Sequence, residues 1–330
     1  MVKRLTYILL VLLLVSCGAR RGYFKIEGRF LHINQGELYI YSPDGGIDGI
    51  DTILIEAGRF AYETPMPDDA TLMLVFPNFS VHPVFAESGG SVNINADASH
   101  LKEMTVTGTG DNELMSTFRK QIANVSPPEE KSLAEQFIKD HPDSRVSFYL
   151  LMKYFVQVAQ PDYEKALNLL KILKQEQPRN GDIIRQSQLI ETYQSTSVKH
   201  KLPKFSAVDV NGKKITDADF SKGKAIISVW AQWNYDGQEM QRVLRSIKDK
   251  QPGTKILSIC ADPSKATCKS FMESNQINWP VVCDEKMLEG ELLQKLGFAK
   301  LPDIIILENG IIKERNVNIA KLKEQTNKPK

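Results

Sequence analysis

The side chains of this 330-residue chain best suited to covalent chemistry are its four cysteines, Cys17, Cys260, Cys268 and Cys283. A thiol attacks a disulfide or binds a metal only as the thiolate, so each needs surroundings that favour the ionised form. Cys260 closes the apolar run Ile256–Cys260, Cys283 follows Val281-Val282, and Cys268 falls in the helix predicted between them. In an oxidising compartment three such residues leave either one pair and one spare or three buried thiols acting as small apolar side chains. A Cys260–Cys283 bridge is open if their strands are neighbours. The histidines offer less, because His32, His82 and His100 are scattered with no ligand spacing. A further segment, Trp230-Ala231-Gln232-Trp233-Asn234-Tyr235-Asp236-Gly237, runs from a predicted strand into a predicted helix. Asn234 stands where that helix begins. Its amide oxygen is among the best N-cap acceptors, for the N–H of Asp236 or Gly237, but it is no nucleophile at neutral pH. These patterns require no cofactor and no metal.

The elements that position these residues form an α/β pattern from about residue 201 to 330. Gly223–Trp230 reads as a buried parallel strand, Tyr235–Lys250 as a helix and Lys255–Asp262 as a second buried strand. Trp279–Asp284 is a short strand, and Ile304–Leu307 with Ile311–Lys313 forms a hairpin across Asn309-Gly310. Trp230 and Trp279 are expected in the core or groove wall, and Tyr235 on an exposed helix start.

Upstream, residues 23–110 alternate apolar and polar side chains in short runs: Phe24–Gly28, Gly36–Tyr41, Asp51–Ile55, Arg59–Tyr62, Leu72–Phe76 and Ser91–Asn95. Turn residues separate them, which predicts an all-β, sandwich-like antiparallel domain or small barrel with one buried face. From 111 to 200 the period becomes helical, with Leu114, Phe118 and Ile122 on one face and Ala166, Leu169, Leu170 and Leu173 on another. Two similar helix ends, at His141-Pro142 and Gln177-Pro178, fall short of the three units a repeat stack needs, so a helical connector is expected.

At the N-terminus Lys3 and Arg4 precede an apolar run, Tyr7–Val15, too short to span a bilayer and suited to a signal peptide over residues 1–16. Leu14-Val15-Ser16-Cys17 resembles a bacterial lipobox, which implies that Cys17 is acylated, becomes the mature N-terminus and is followed by a tether over 17–22. Gly18 is not the aspartate of an inner-membrane retention signal, and no acidic cluster follows. An outer-membrane lipoprotein facing the periplasm is the expectation, with membrane lipid as its first partner. Of 42 basic and 40 acidic residues, a cleaved leader removes Lys3 and Arg4, so the mature chain is balanced and gives no electrostatic case for nucleic acid.

The segment Trp230–Gly237 resembles the thioredoxin active-site sequence Trp-Ala-x-Trp-Cys-x-x-Cys, with Asn234 and Gly237 in place of both cysteines. Leu202-Pro203-Lys204-Phe205 with Asp209–Lys213, and Leu296–Asp303, extend the resemblance to TlpA-like and AhpC/TSA-related thioredoxins over more than a hundred residues. The residues before it resemble an uncharacterised β-domain family found ahead of thioredoxin domains, through Gly28, Asp51-Thr52, Gly58-Arg59-Phe60 and Val106–Gly110. The resemblance implies a thioredoxin-like fold, a cis-proline at Pro302 and a peptide-holding groove formed by Trp233, Asn234, Tyr235, Asp236, Gly237, Leu301 and Pro302. Three departures accompany it. No thiol occupies the motif; the position of the family's proton-transfer acid aligns near Met240 rather than Glu239; and Asp303, read as a solvated or capping carboxylate, replaces a small residue or threonine. Pro263–Cys268 resembles the peroxidatic Pro-x-x-x-Thr-x-x-Cys pattern, but its cysteine comes two residues early and after the wrong strand.

The leading expectation is therefore a membrane-anchored binding or scaffold protein that docks an envelope protein or peptide without redox chemistry. The alternative is a thiol-disulfide oxidoreductase using a relocated thiol, Cys260, Cys268 or Cys283, and a third reading makes the β-domain the recognition module for envelope components.

Overall fold

The structure, a computed structural model, describes residues 20–326, so the leader and Cys17 lie outside the described residues. Contacts divide the chain into two compact units, one up to Ile184 and one from Arg185. Among the described residues no helix is long and apolar enough to cross a membrane.

In the first unit, β1 (Tyr23–Leu31), β2 (Gln35–Tyr41), β3 (Ile50–Glu56), β4 (Arg59–Pro65), β5 (Ala70–Val75), β6 (Val81–Ala86), β7 (Ser91–Asp97) and β8 (Thr105–Thr107) form one eight-stranded sheet. Its order is β6-β5-β2-β3-β4-β1-β7-β8. Period-two alternation does what the sequence predicts: in β7, Val92, Ile94 and Ala96 are buried while Asn93 and Asn95 face out. Inward side chains from across the sheet, among them Phe24, Ile26, Leu38, Ile40, Leu72 and Ile94, share a single core. Phe60 stacks on Phe30 at 4.9 Å, and this requires Gly28, since a Cβ there would sit 2.2 Å from the Phe60 ring.

Two details differ from expectation. β1 pairs with β7 in parallel, not antiparallel. Strand β6 was not foreseen because Pro83 lacks an N–H; β6 is an edge strand, where proline is tolerated. Both sheet edges meet the same helix, α1 (Gly110–Ile122). The Asn112 amide accepts from Phe85 N–H at 3.0 Å and donates to Phe85 O at 2.7 Å on β6, while the Ser116 hydroxyl accepts from Val106 N–H and donates to Val106 O on β8. The sheet thus curls over its core and α1 closes the seam, satisfying backbone groups that would otherwise form an open edge.

The helices that follow, α2 (Pro127–Asp140), α3 (Arg145–Leu151, continued by a π turn to Val156) and α4 (Tyr163–Glu176), pack into the same unit, and α5 (Gly181–Ser195) runs across the division. Arg145 fastens α3 to the strands, bonding Asp111 and the carbonyls of Ala70 and Ala86.

The second unit holds a small hairpin, β9 (Ser206–Val208) with β10 (Lys214–Thr216), and a five-stranded sheet. The sheet comprises β11 (Lys224–Trp230), β12 (Lys255–Cys260), β13 (Val281–Val282), β14 (Asp303–Glu308) and β15 (Ile311–Arg315), in the order β13-β12-β11-β14-β15. β11 is central and buried on both faces, parallel to β12 and antiparallel to β14. Its side chains alternate between two apolar clusters, Ile226 and Trp230 on one side, Ile227 and Val229 on the other. The helices are α6 (Tyr235–Lys250), α7 (Lys265–Ser274), α8 (Glu291–Lys295) and α9 (Ile319–Thr326). A buried polar knot joins β11, β12 and α6: Ser258 Oγ lies 2.9 Å from Ser228 Oγ, donates to Gln241 and accepts from the Trp279 indole N–H. Each member has a partner, as burial demands.

In the first unit, His82 on β6 borders a cavity of about 120 Å³ with Arg119, Tyr149, Lys153 and Tyr154. Burial, then the charges of Arg119 and Lys153, lower the His82 pKa from 6.5 to about 4. The neutral ring is favoured in the folded state, so its contribution is complete above pH 6.5 and disappears as pH falls toward 4. The described tryptophans all lie in the second unit, so hydrogen exchange of β5 and β6 amides is the suitable measurement. Protection should drop by about 2 to 3 kcal/mol between pH 7 and 4.5, and His82→Gln should flatten most of that slope.

Candidate functional site

The site begins where β11 ends. Its last residue, Trp230, is fully buried against Phe271, with ring centroids 4.6 Å apart, and Trp279 is 4% exposed; both are core residues. The chain then turns through Ala231, Gln232 and Trp233 into α6. A helix starting here leaves its first N–H groups without intrahelical acceptors. Asn234 supplies one, its Oδ1 accepting from Gly237 N–H at 2.7 Å with the backbone in the extended conformation usual for a cap. The turn is closed further by Gln238, whose side-chain amide donates to Gln232 O at 2.6 Å.

The antiparallel register sets Asp303 against Val229, which brings Pro302 to the level of Trp230 at the same end of the sheet. The Leu301–Pro302 bond is cis. Trp233 is 59% and Tyr235 73% exposed, while Leu301 and Pro302 are half-buried. The chain therefore gathers Trp233, Asn234, Tyr235, Asp236 and Gly237 with Leu301 and Pro302 at one end of the sheet, around an amide and with no thiol or imidazole among them.

Asp303 departs from the sequence expectation. It is buried, not solvated; its carboxylate accepts from Ile304 N–H at 2.7 Å, and burial raises its pKa despite the opposing influence of that bond and of Arg315 and Lys300. Met240 lies in the core, and Glu239 is held below the usual carboxylate range by hydrogen bonds from Lys323 and Arg242. The carboxylate that does approach the motif is Asp262, which the sequence did not single out. It is 2% exposed, and both its oxygens lie 3.1 Å from Gln232 N, accepting that N–H.

The three described cysteines also converge. Cys260 ends β12, Cys268 lies in α7 and Cys283 follows β13; all are free, at most 1% exposed, and their sulfurs lie within 4.8 Å of one another. Cys260 Sγ donates to Asp262 Oδ2 at 3.1 Å and Cys283 Sγ to Asp262 O at 3.5 Å. Interaction among the three sulfurs, ahead of burial, raises the Cys260 pKa and lowers that of Cys283. The strand ends carrying Cys260 and Cys283 were legible in sequence; the arrival of Cys268 was not, because no spacing rule links a helix turn to a strand end.

In the first unit, His32 and His100 both approach Asp97, at 2.9 and 3.8 Å, yet both are exposed and His82 is remote in the register. These are exposed surface contacts, worth little.

Comparison with known proteins agrees with this division. Residues 24–115 match a domain of unknown function (DUF4369), and residues 198–315 match the AhpC/TSA family. The thiol-disulfide oxidoreductases ResA of Bacillus thuringiensis and Bacillus cereus are each 28% identical over 109 residues, 32% of this chain and 61% of theirs. The chain thus spans less than two thirds of the curated relatives it matches. Among solved structures, a thiol-disulfide oxidoreductase from Bacteroides fragilis aligns at 20% identity and TM-score 0.35, covering 38% of this chain and 97% of that one. The thioredoxin domain of a thiol-disulfide oxidoreductase from Bacteroides vulgatus aligns at 19% and 0.35, covering 40% and 96%.

The cap is testable without assuming any activity. In urea titrations followed by tryptophan fluorescence, Asn234→Ala should lower the stability of the second unit by about 1 kcal/mol, while Asn234→Asp, which keeps the acceptor and adds charge at the helix N-terminus, should lose little.

Proposed function

We propose that this chain, a TlpA-like thioredoxin-fold protein carrying an AhpC/TSA-type domain behind an N-terminal DUF4369 domain, is a binding or scaffold protein whose thioredoxin-like unit has lost redox chemistry. The observation that carries this reading is the Asn234 carboxamide at the head of α6, bonded to Gly237 N–H. A thiol-disulfide oxidoreductase needs a sulfur at that point, where the helix dipole and free N–H groups hold a thiolate. Here the N–H is already engaged and the acceptor cannot attack. Exposed Trp233 and Tyr235 beside Pro302 suit an extended peptide held against the backbone, a form of recognition that requires no sulfur. The Leu14–Cys17 segment supports export and acylation at Cys17, giving an outer-membrane lipoprotein that faces the periplasm and holds an envelope protein or peptide.

A relocated thiol is the competing reading, and the convergence of Cys260, Cys268 and Cys283 is what favours it. Against it stands their burial: an attacking thiolate must reach a substrate disulfide. Iodoacetamide should therefore modify none of the three at pH 7 in the folded chain and all three after unfolding; rapid labelling of one would restore the oxidoreductase reading.

The direct test is catalytic reduction of insulin disulfides by dithiothreitol. The native chain should not exceed the uncatalysed rate, and a clear acceleration would end the scaffold proposal. A cysteine at 237 alone is crowded, since its Cβ would lie 3.2 Å from Asn234 Oδ1 and 3.3 Å from Ala231 O. The double change Asn234→Cys with Gly237→Cys removes the first of these contacts and should confer measurable reductase activity.

A further inference from the structure

The second unit holds three cysteines among its described residues, and all three meet at one buried point. Each comes from a different rigid element, the end of β12, the first turn of α7 and the residue after β13, so the sulfurs are positioned by the fold and not by a flexible loop. Small apolar filling would not require sulfur at three converging positions. We propose that Cys260, Cys268 and Cys283 form a binding site for a single Cu(I) ion, a site separate from the motif around Asn234 and independent of whether that motif docks a partner.

Donor type and number select the ion. Three thiol sulfurs with no imidazole among them favour a soft cation, and Cu(I) accepts three-coordinate sulfur. With sulfur separations of at most 4.8 Å, an equilateral arrangement has its centre no more than about 2.8 Å from each sulfur, so the sulfurs need to close in by at most about half an ångström to reach a metal–sulfur bond of roughly 2.3 Å. Zinc calls for a fourth ligand. The nearest oxygen donor, Asp262, is already engaged, accepting from Gln232 N–H through both oxygens and from the Cys260 thiol. Access is short despite the burial, because Pro263, Lys265, Asp284 and Glu285 around the cluster are exposed, and the two covering segments are tied by the bond from Lys265 N–H to the Glu285 carboxylate at 2.9 Å and by that from the Cys283 thiol to Asp262 O. Binding exchanges thiol protons for the cation, with no change of oxidation state: each ligating Cys–SH releases H⁺ to solvent and forms one Cu–S bond.

Asp262 links this site to the motif. Deprotonation of Cys260 removes the thiol donor from Asp262 Oδ2, leaving Gln232 N–H as the donor of the pair, so loading alters the hydrogen bonding of the turn that carries Trp233.

The experiment uses the full chain with Cys17→Ser, which leaves these three as its only cysteines, reduced and titrated anaerobically with Cu(I) against a chromophoric chelator. One copper per chain should be withdrawn from the chelator, X-ray absorption should show three Cu–S contacts and no lighter ligand, and affinity should fall as pH is lowered. Cys268→Ser and Cys283→Ser, each confirmed folded by tryptophan fluorescence, should weaken binding at least about 100-fold. The proposal is overturned if the folded chain takes no copper, if the serine variants bind as well as the parent, or if Zn(II) displaces Cu(I) at equal concentration. It is equally overturned if chain isolated from cells is two mass units light because two of the sulfurs are joined as a disulfide. Absorption by the parent chain decides the matter even where a variant fails to fold.

Discussion

A helix that begins at the carboxyl end of a buried strand leaves N–H groups pointing into a groove, and something must accept from them. In this chain the acceptor is the Asn234 side chain, and much of the second unit is arranged around that requirement. β11 must be apolar on both faces to lie at the centre of the sheet, α6 must cover one of those faces through Met240, Leu244 and Ile247, and β14 must pair with β11 to bring Pro302 alongside. These demands are indifferent to whether the cap is sulfur or amide. The fold can therefore persist intact while the chemistry at its most reactive point changes, which is why architecture and activity have to be argued from different residues.

Much of the architecture was legible because it rests on local rules. Apolar runs located β11 and β12, the periodic stretch after Asn234 located α6, and alternation located six strands of the first unit, since each pattern records the burial of one element. What escaped depends on contacts between distant elements. β6 was hidden by Pro83, which is acceptable only because the strand lies at an edge. The parallel pairing of β1 with β7 is a matter of topology that alternation cannot report. Asp303 looked like a surface carboxylate and is buried because it opens β14, an internal strand of the sheet.

The same division applies to the site. Asn234, Gly237, Trp233 and Tyr235 were readable from one continuous segment, and the exposure of Trp233 and Tyr235 and the capping of Gly237 N–H by Asn234 follow from their place at a helix start. Asp262 was not, because its role depends on where the turn after β11 passes relative to the end of β12. Nor was the meeting of Cys268 with Cys260 and Cys283, which lie eight and fifteen residues to either side of it. Sequence distance says little about a helix that folds back over the strand ends.

The first unit solves a different problem with similar means. An open eight-stranded sheet has two edges with unpaired backbone groups, a standing invitation to pair with other chains. Here Asn112 and Ser116 on α1 present side-chain donors and acceptors that imitate a neighbouring strand, one for β6 and one for β8. Because a polar side chain on a helix can do this only if the helix is held in register, Arg145, Asp111 and the carbonyls of Ala70 and Ala86 belong to the same device. It follows that the helical stretch cannot be regarded as a passive spacer: without it the β-rich part would expose both edges, so the two must fold as one unit. A sheet closed in this way presents its faces and loops but not its edges, which restricts any recognition by the first unit to side-chain surfaces.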